Sequence, residues 1–435
     1  MRTILSRSAP LRGEITVPGD KSISHRAVML GSIAKGTTEI TGFLSGADCL
    51  STVDCFRRLG VEISVNEKEG KVTVCGRGMR GLRPASDPVS LYTGNSGTTT
   101  RIISGILAPQ PFTSVISGDA SIATRPMRRI MQPLSRMGAH IESVNGNDCA
   151  PLRIEGRDLH GITYHSPVAS AQVKSSILCA GLYAEGVTEV VEPSLSRDHT
   201  ERMLRAFGAE IDSFEDKDGW HARTKTCPEL EARRIHVPGD ISSAAYFIAA
   251  ASLIPGSEIL IRGVGINPTR AGMIEVAQSM GADISILGIR QDTAEPIADL
   301  LVRHAPLHGV TIGGSVIPAL IDEIPVLAVM AACAEGTTYI KDAAELKVKE
   351  TDRIDTITKG LSAMGCSVVP QNDGMIIEGN SGSPLTGSAI KTYGDHRIAM
   401  AFSVAALAAR GETVIDDEHC VDVSYPGFYR DLDSL

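Results

Sequence analysis

One short pattern occurs five times along this chain of 435 residues and constrains its fold more than any other feature. A segment with helical spacing of apolar residues ends in an apolar residue, a glycine, a small residue, a variable residue and then Ile or Val. The glycines of the five copies are Gly60, Gly138, Gly208, Gly281 and Gly365. Glycine enters the left-handed region without steric cost and therefore often follows the last residue of a helix. The pattern predicts a repeated helix-to-strand unit.

A second pattern sets the period of this repeat. Six predicted strands begin at residues 36, 111, 186, 256, 336 and 411, and five of them open with Gly followed within two residues by Thr or Ser. The segment before each strand is apolar nearly all round, for example at 243–251 and 398–409, and such helices are buried. The sequence therefore predicts six α/β units with buried helices under sheets. Units of this length suit compact domains better than a solenoid.

A longer repeat divides the six units into two halves of three. Residues 15–20, ITVPGD, recur as IHVPGD at 235–240, and each copy precedes a serine-containing helix start. The Pro-Gly segments are the predicted crossovers between the halves. A cleft between two such halves is the natural place for a ligand.

Composition excludes several classes of protein. The net charge is −9 and no run of Lys or Arg is long enough for a nucleic-acid arm, so we expect no nucleic-acid partner. No stretch near twenty apolar residues could span a membrane, and the N-terminal residues lack the apolar core of a signal peptide. Nine scattered cysteines without a CxxC pair indicate reduced thiols. We therefore expect a cytoplasmic protein without a metal site.

Seven polar segments interrupt the repeat, mostly at predicted starts of helices. They are 19–26, 94–101, 123–129, 170–174, 320–325, 347–353 and 393–397. Their cationic side chains include those of Lys21, Arg26, Arg101, Arg125, Lys349, Arg353 and Arg397. Helix N-termini attract anions through free N–H groups and the helix dipole. The cations at these positions predict a set of ligands with several negative charges, even in an acidic protein.

Two carboxylates stand out beside these cations. Asp322 borders a very apolar stretch, and Glu350 lies within a dense mixture of charges. Each could cap or solvate a helix start, or could transfer protons as one of an acid–base pair. A P-loop is not indicated, because Lys21 follows Asp20 rather than glycine.

Together, the segments resemble the signatures of a known family. GDKSISHRA, LYTGNSGTTTR, ATRPM, SAQVKS, the Asp322 segment, KVKETDR and YGDHRIAM are similar, in order and spacing, to those of the 3-phosphoshikimate 1-carboxyvinyltransferases. This resemblance runs from about Gly19 to Pro426 and implies an α/β fold with two similar domains. Each domain would hold three βαβαββ units with buried helices, the inverse α/β fold of enolpyruvyl transferases. The implied domains are 18–237 and 1–17 plus 238–435, with the active-site cleft between them.

The resemblance also implies a reaction and a set of site residues. The enolpyruvyl group of phosphoenolpyruvate would move to the 5-hydroxyl of shikimate 3-phosphate, with release of phosphate, in the shikimate pathway to chorismate and aromatic amino acids. The implied catalytic residues are Lys21, Asp322 and Glu350. Those implied for shikimate 3-phosphate are Lys21, Ser22, Arg26, Ser170, Gln172, Ser196, Asp322 and Lys349. Those implied for phosphoenolpyruvate are Lys21, Gly97, Arg125, Gln172, Arg353 and Arg397.

The division of chemistry between the two acids follows from the same resemblance. Asp322 would take the proton from the 5-hydroxyl with help from Lys349, and Glu350 would protonate the methylene carbon of phosphoenolpyruvate. No cofactor is implied, we expect a monomer, and glyphosate would compete with phosphoenolpyruvate near Gly97.

Some positions depart from the family pattern. Val423 stands where some members have a Lys that contacts phosphoenolpyruvate, and Glu345 stands where some have Asn. The serine that holds the phosphate aligns with Ser194, Ser196 or Arg197, and we assign its role to Ser196.

Two other functions remain open from the residues. One is the enolpyruvyl transferase that acts on UDP-N-acetylglucosamine, whose family has a reactive Cys at the position of Ala120. The other is a non-catalytic repeat protein that binds an anionic partner.

Overall fold

The structure is a computed structural model of the chain and describes residues 1–7, 9–291, 294–380 and 384–435. Contacts divide the chain into two compact units. The continuous unit comprises Gly19–Val237, and the discontinuous unit joins Met1–Pro18 to Pro238–Leu435. The domain boundaries expected from the sequence, at 17/18 and 237/238, lie within one residue of these limits.

The described residues contain thirteen α-helices and four short 3-10 helices. The α-helices are α1 (Lys21–Ile33), α2 (Ala47–Arg58), α3 (Gly97–Leu107), α4 (Arg128–Arg136), α5 (Ala171–Gly181), α6 (His199–Ala206), α7 (Ile241–Leu253), α8 (Gly272–Ser279), α9 (Ile317–Leu320), α10 (Ile324–Cys333), α11 (Arg353–Ala363), α12 (His396–Ala408) and α13 (Phe428–Asp433). The 3-10 helices are Ile122–Thr124, Gly314–Val316, Ala344–Val348 and His419–Val423.

The strands of the same residues form six sheets. The strands of the first half are β1 (Arg2–Leu5), β2 (Arg12–Thr16), β3 (Ala34–Thr41), β4 (Glu62–Asn66), β5 (Lys71–Arg77), β6 (Val89–Tyr92), β7 (Thr113–Ser117), β8 (His140–Ser143), β9 (Leu152–Glu155), β10 (Thr163–His165), β11 (Val187–Glu192), β12 (Ile211–Asp216), β13 (Gly219–Lys225), β14 (Leu230–Glu231) and β15 (Arg234–His236). Those of the second are β16 (Glu258–Gly265), β17 (Asp283–Arg290), β18 (Ile297–Arg303), β19 (Thr311–Ile312), β20 (Thr337–Ile340), β21 (Ser367–Gln371), β22 (Gly374–Glu378), β23 (Ala389–Ile390) and β24 (Glu412–Ile415).

Five of the six sheets share one topology. In the sheet β6-β7-β9-β8, the first two strands are parallel and the last two join as an antiparallel pair. Helix α3 connects β6 to β7, and α4 connects β7 to β8, which gives the order βαβαββ. A parallel pair requires such a crossover, whereas an antiparallel pair closes with a short turn. The predicted repeat of α/β units is confirmed.

The first strands of the two halves are exchanged. Strand β2 leads along the chain into α1 of the continuous unit, yet it pairs with β16 of the discontinuous unit. Strand β15 leads into α7, yet it pairs with β3. The crossovers contain the two Pro-Gly segments that the sequence repeat indicated.

The sixth sheet differs from the others. It has the order β1-β24-β23, in which β1 from the N-terminal segment pairs antiparallel with β24. The sixth unit therefore supplies only a βαβ segment, β23-α12-β24, to this sheet. The chain after β24 forms the 3-10 helix His419–Val423 and α13.

The five glycines of the opening pattern follow α2, α4, α6, α8 and α11, as predicted. Their φ angles lie between 84° and 100°, in the left-handed region. In every copy, the residue after the glycine donates its N–H to the carbonyl five residues earlier, as Val61 does to Phe56 at 3.0 Å. This is the Schellman arrangement, which satisfies carbonyl groups at the helix end.

The buried helices differ from the predicted segments by one or two residues at their ends. The segment at 243–251 belongs to Ile241–Leu253, whose first twelve residues are all buried. The segment at 398–409 belongs to His396–Ala408, because Asp395 caps the helix two residues earlier than expected. Among the described residues, no single helix is long and apolar enough to cross a membrane, although the bent pair Gly314–Leu320 and Ile324–Cys333 meets these criteria jointly at 112°.

Candidate active site

The N-termini of the buried helices in the continuous unit carry most of the predicted ligand-binding residues of that unit. Asp20 caps α1 by accepting a hydrogen bond from the Ile23 N–H at 2.9 Å. Ser96 caps α3 in the same way, with the Thr99 N–H as donor at 3.0 Å. The first turn of a helix presents N–H groups that favour a bound anion, and the helix dipole adds partial positive charge.

Arg26 is buried in α1 and surrounded by neutral acceptors. Its Nε donates to Thr200 Oγ1 at 2.6 Å, and its two terminal nitrogens donate to Ser175 Oγ and to the Ser22 carbonyl, both at 2.9 Å. Burial lowers the pKa of the Arg26 guanidinium from its ordinary value. Glu201 and Asp20 raise this pKa in part through their charge, but no carboxylate hydrogen-bonds to Arg26 within the described residues, so the site favours an added anion.

Lys21 lies at the first position of α1, one residue before Ser22. Its ammonium group forms an ion pair with the Asp48 carboxylate, in the first turn of α2. The contact holds the Lys21 side chain at the N-terminal end of α1, where the sequence predicts that it touches both substrates.

A hydroxyl chain connects α1 to the cap of α3. His25 Nδ1 and Thr52 Oγ1 are hydrogen-bonded at 2.7 Å, Thr52 and Thr99 hydroxyls are 2.7 Å apart, and Thr99 Oγ1 donates to Ser96 Oγ at 2.7 Å. Burial lowers the pKa of His25 to about 3. The imidazole is therefore neutral at physiological pH, and it links the two helix starts without adding charge.

Hydrogen bonds of Gln172 link α5 to the start of α3, next to Gly97. Arg101 Nη1 donates to Gln172 Oε1 at 2.7 Å, and Gln172 Nε2 donates to Thr98 Oγ1 at 3.0 Å. A Cβ added to Gly97 would lie 2.7 Å from Arg101 Nη1. Arg125 approaches the same loop, with Nη2 donating to Asn95 Oδ1 at 3.0 Å. Three of the residues expected to hold phosphoenolpyruvate thus share one surface of this unit.

Ser170 and Ser196, both expected to hold shikimate 3-phosphate, meet at Glu192. The Ser170 N–H donates to Glu192 Oε1 at 2.8 Å, and the Ser196 hydroxyl donates to Glu192 Oε2 at 2.7 Å. Ser196 is buried, whereas Ser194 and Arg197 are partly exposed.

In the discontinuous unit, Asp322 lies at the centre of a cationic group. Lys349 Nζ donates to Asp322 Oδ1 at 3.2 Å, and Arg353 Nη1 lies 3.6 Å from the same oxygen. Arg397 Nη2 lies 3.8 Å from Asp322 Oδ2, and its Nη1 donates to the Asp322 carbonyl at 3.1 Å. The residue lies just before α10 and is 9% exposed, so its carboxylate is close to the surface of the unit.

Arg353 connects Asp322 to Glu350 and to Asp395. Its Nη2 donates to Glu350 Oε2 at 2.6 Å, and its Nε donates to Asp395 Oδ2 at 2.8 Å. Burial would lower the pKa of Arg353, but Asp395 and Glu350 more than offset burial and raise it. Burial likewise would raise the pKa of Asp395, and Arg353 lowers it instead. Both groups are therefore charged, and the two predicted acids share one arginine.

Comparison with known proteins decides the family. Residues 5–432 match the family described as EPSP synthase (3-phosphoshikimate 1-carboxyvinyltransferase). The chain belongs to the EPSP synthase family. Similar curated proteins are the 3-phosphoshikimate 1-carboxyvinyltransferases of Brevibacillus brevis, 55% identical over 98% of this chain and 97% of the relative, and of Desulforamulus reducens, 52% identical over 98% of each. The family predicted from the sequence is confirmed.

Solved structures agree with the EPSP synthase fold. An EPSP synthase from Acinetobacter baumannii has a TM-score of 0.88 and 46% identity, covering 99% of this chain and 97% of that one. The enolpyruvyl transferase NikO from Streptomyces tendae has a TM-score of 0.77 and 18% identity, over 100% of this chain and 97% of its own, so it supports the fold alone. The predicted fold class is confirmed.

Four residues that organise these two EPSP synthase clusters were not assigned a role from the sequence. They are Asp48, Lys174, Glu192 and Asp395. Asp48 and Asp395 could have been found as acids at helix starts, where the dipole favours them. Lys174 and Glu192 belong to different elements, and no local pattern relates them. The two positions that depart from the family pattern, Glu345 and Val423, lie in the 3-10 helices Ala344–Val348 and His419–Val423.

Proposed function

We propose that this chain transfers the enolpyruvyl group of phosphoenolpyruvate to the 5-hydroxyl of shikimate 3-phosphate, giving 5-enolpyruvylshikimate 3-phosphate and phosphate. The transferase class follows from family membership, since relatives at 52–55% identity carry this activity in their names. The observation that carries the assignment of roles is the group around Asp322, in which a carboxylate and three cations lie within 4 Å. We further propose that residues 18–237 and 1–17 plus 238–435 act as domains on the same substrates.

Asp322 is the proposed base for the 5-hydroxyl. Lys349 is placed to stabilise the negative charge that develops when the hydroxyl loses its proton, because its ammonium group already contacts the Asp322 carboxylate. The main-chain carbonyl of Asp322 is held by Arg397, which fixes the segment before α10. A base held by its own backbone and by its carboxylate needs little reorganisation during the reaction.

Glu350 is the proposed acid for the methylene carbon of phosphoenolpyruvate. Its carboxyl group contacts Arg353, so protonation of the substrate and binding of its negative charge involve adjacent groups. Attack of the 5-hydroxyl oxygen on C2 then gives a tetrahedral intermediate. Glu350 then takes a proton back from the new methyl group while phosphate leaves C2 with the proton held by Asp322. This elimination forms the enol ether of the product and returns Asp322 and Glu350 to their starting protonation states.

The remaining residues bind the substrate anions. For shikimate 3-phosphate, we assign Lys21, Ser22, Arg26, Ser170, Gln172, Ser196, Asp322 and Lys349. For phosphoenolpyruvate, we assign Lys21, Gly97, Arg125, Gln172, Arg353 and Arg397. Arg26 with its neutral acceptors and the N-terminal end of α3 support this division, since a buried guanidinium and a helix N-terminus both favour an added anion.

Release of inorganic phosphate tests the proposal directly. Purified protein with phosphoenolpyruvate should release phosphate when shikimate 3-phosphate is added, and not when shikimate or UDP-N-acetylglucosamine replaces it. The Asp322→Asn variant provides the background rate. Phosphate release with UDP-N-acetylglucosamine instead would assign the other enolpyruvyl transfer, and release with neither acceptor would leave only anion binding.

The same preparation tests two further expectations, while the expected cytoplasmic location is tested by cell fractionation. We expect a monomer, which light scattering on a sizing column would detect as a single species of about 46 kDa. We also expect inhibition by glyphosate that is competitive with phosphoenolpyruvate. Inhibition that does not depend on phosphoenolpyruvate concentration would contradict the assignment of Gly97 and Arg125.

A further inference from the structure

A fully buried charged triad lies in the continuous unit, next to the proposed shikimate 3-phosphate residues. Lys174 of α5 forms ion pairs with Glu192 Oε2 at 2.9 Å and with Glu201 Oε1 at 2.8 Å. Glu192 ends β11, Glu201 belongs to α6, and all three side chains are at most 2% exposed. The proposed reaction uses none of them.

The two carboxylates serve two buried cations. Burial would lower the pKa of Lys174, but Glu201 and Glu192 more than offset it and raise the pKa, so the lysine is charged. Glu201 also acts on the buried guanidinium of Arg26, whose pKa burial lowers and the charge of Glu201 raises in part. Charge balance therefore accounts for both glutamates, and their roles are distinguished by their other contacts.

The two glutamates differ in what else they contact. Glu192 Oε1 accepts the Ser170 N–H at 2.8 Å, while its Oε2 accepts the Ser196 hydroxyl at 2.7 Å and the Ser196 N–H at 3.4 Å. Lys174 Nζ completes this group by donating to the Ser196 carbonyl at 3.2 Å. In the described part of the chain, Glu201 Oε2 is buried without a hydrogen-bond partner.

We infer that Glu192 is a positioning residue for shikimate 3-phosphate, fixing the residue that precedes α5 and the segment 193–197 relative to each other. The inference rests on the proposed function, because Ser170 and Ser196 are assigned there to the phosphorylated substrate. Glu192 holds three donors on these two segments and does not itself touch the substrate. Lys174 keeps the Glu192 carboxylate charged and adds a fourth contact, to the Ser196 carbonyl.

The physical effect is preorganisation. Ser170 lies before the first turn of a buried helix, and Ser196 lies in an irregular segment between β11 and α6. Without a common acceptor, these serines would have to be ordered when the substrate binds, and the ordering would reduce affinity. Loss of Glu192 should therefore weaken binding of shikimate 3-phosphate specifically, with phosphoenolpyruvate much less affected.

Glu192→Gln and Glu201→Gln form a matched pair for the test. Each removes one carboxylate and leaves Lys174 paired with the other, so the change in buried charge is equal. The amide in Glu192→Gln retains one acceptor oxygen for donors that previously used two, whereas Glu201→Gln leaves all contacts of Ser170 and Ser196 in place. Calorimetric titration with shikimate 3-phosphate alone gives Kd, and steady-state assays give KM for both substrates.

For Glu192→Gln, we expect Kd and KM for shikimate 3-phosphate to rise about tenfold, which corresponds to the loss of one charge-assisted hydrogen bond. KM for phosphoenolpyruvate should stay within about twofold of the wild-type value. Glu201→Gln should stay within about twofold of the wild-type protein in Kd and in both KM values. The melting temperatures of Glu192→Gln and Glu201→Gln should fall by similar amounts. Equal changes in shikimate 3-phosphate affinity in the two variants would overturn the inference.

Two controls keep the outcomes distinct. Failure of the wild-type protein to bind shikimate 3-phosphate or to release phosphate with it would refute the proposed function rather than the role of Glu192. Glu192→Asp retains the charge beside Lys174 but is one methylene shorter, and it replaces Glu192→Gln if that variant does not fold. An unchanged Kd in a folded Glu192→Asp variant would then overturn the inference.

Discussion

Arg26 and Arg353 are buried arginines in different units, and their surroundings are opposite in kind. Arg26 donates to two hydroxyls and a carbonyl, and burial lowers its pKa. Arg353 donates to the carboxylates of Asp395 and Glu350, which raise its pKa against the effect of burial. One guanidinium has neutral acceptors, and the other is compensated by fixed anions.

The contrast separates two uses of a buried cation. A guanidinium among neutral acceptors gains most when an anion arrives, so Arg26 suits the binding of a phosphorylated substrate. A guanidinium held by carboxylates is already neutralised. Arg353 therefore orients the neighbouring acids in addition to contacting a ligand. We therefore expect Arg26 to contribute mainly to substrate affinity, and Arg353 to orient the proposed acids in addition to binding phosphoenolpyruvate.

Replacing each arginine with methionine should reveal the largest difference between the two sites. Arg353→Met leaves Asp395 buried without its main partner, and we expect a loss of about 3–5 kcal/mol in the free energy of unfolding. Arg26→Met leaves only neutral acceptors unsatisfied, at a cost of about 1–3 kcal/mol, but should raise KM for shikimate 3-phosphate more than tenfold. Urea denaturation at pH 7 measures both stabilities, and equal losses would mean that the two sites do not differ as described.

The pH dependence of stability provides a second test of the difference between Arg26 and Arg353. The pKa of Asp395 is lowered in the folded protein, so its stabilisation is complete above the ordinary value of about 4 and is lost as pH falls through the lowered folded value. The gap in stability between wild type and Arg353→Met should therefore shrink below pH 4, while the gap for Arg26→Met should not. A constant gap for Arg353→Met would exclude Asp395 as the source.

The proposed acids should have a smaller but clear effect on turnover. Asp322→Asn and Glu350→Gln should each reduce kcat at least about a hundredfold, as expected for groups that transfer protons. Asp355→Asn is the control, because Asp355 forms an exposed pair with Lys359 one turn further along the chain and should be nearly neutral. Thermal melting identifies the alternative, in which the acids only cap helices and the loss appears in stability.

His25 predicts a pH dependence that belongs to the continuous unit. Its folded pKa of about 3 lies below the ordinary value of about 6.5, so the stabilisation it provides is present above pH 6.5 and is lost as pH falls toward 3. Between pH 6.5 and 5, the expected loss is roughly 2 kcal/mol from this group alone. His25→Asn should show a shallower decline over that range by chemical denaturation, and parallel declines would contradict the prediction.

Two glycines of α3 should give the smallest difference in function. In Gly97→Ala the new methyl group meets the end of the Arg101 side chain, which can move, so stability should hold while KM for phosphoenolpyruvate rises a few-fold. In Gly105→Ala it would lie 2.0 Å from the Ser176 carbonyl oxygen of α5, so stability should fall instead. Steady-state kinetics and thermal melting distinguish the two variants. A rise in KM for phosphoenolpyruvate in Gly105→Ala but not in Gly97→Ala would contradict the prediction.

The regular parts of the fold could be predicted because they depend on local sequence. Helix ends at Gly60 and Gly138 follow from the one residue that adopts their backbone angles at no cost. The buried helices follow from continuous apolar composition, and the positions of the two crossovers were indicated by the repeated Pro-Gly segments. The three-stranded sixth sheet was not predicted, because β1 lies far from β24 in the chain and no sequence pattern in β1 indicates its partner strand.

The clusters of charged groups could be predicted only in part. Residues at helix starts, such as Lys21 and Arg397, are visible in the sequence because polar residues interrupt an apolar repeat. The pairs Lys21–Asp48 and Arg353–Asp395 depend on side chains that meet through the tertiary fold. Sequence spacing does not encode such contacts, and Asp48 and Asp395 were therefore assigned no role.

The exchanged first strands have a consequence for synthesis on the ribosome. Leu11 and Ser257, which hydrogen-bond beside the β2–β16 pairing, are 246 residues apart. At typical rates of about 5–20 residues per second, β2 would emerge roughly 12–50 s before its partner strand. Throughout this interval Ile15 has no sheet to cover it, while the continuous unit acquires all of its own strands. Nascent chains whose first 237 residues have emerged from the ribosome should therefore fold one unit completely while the N-terminal strands remain accessible to chaperones and proteases.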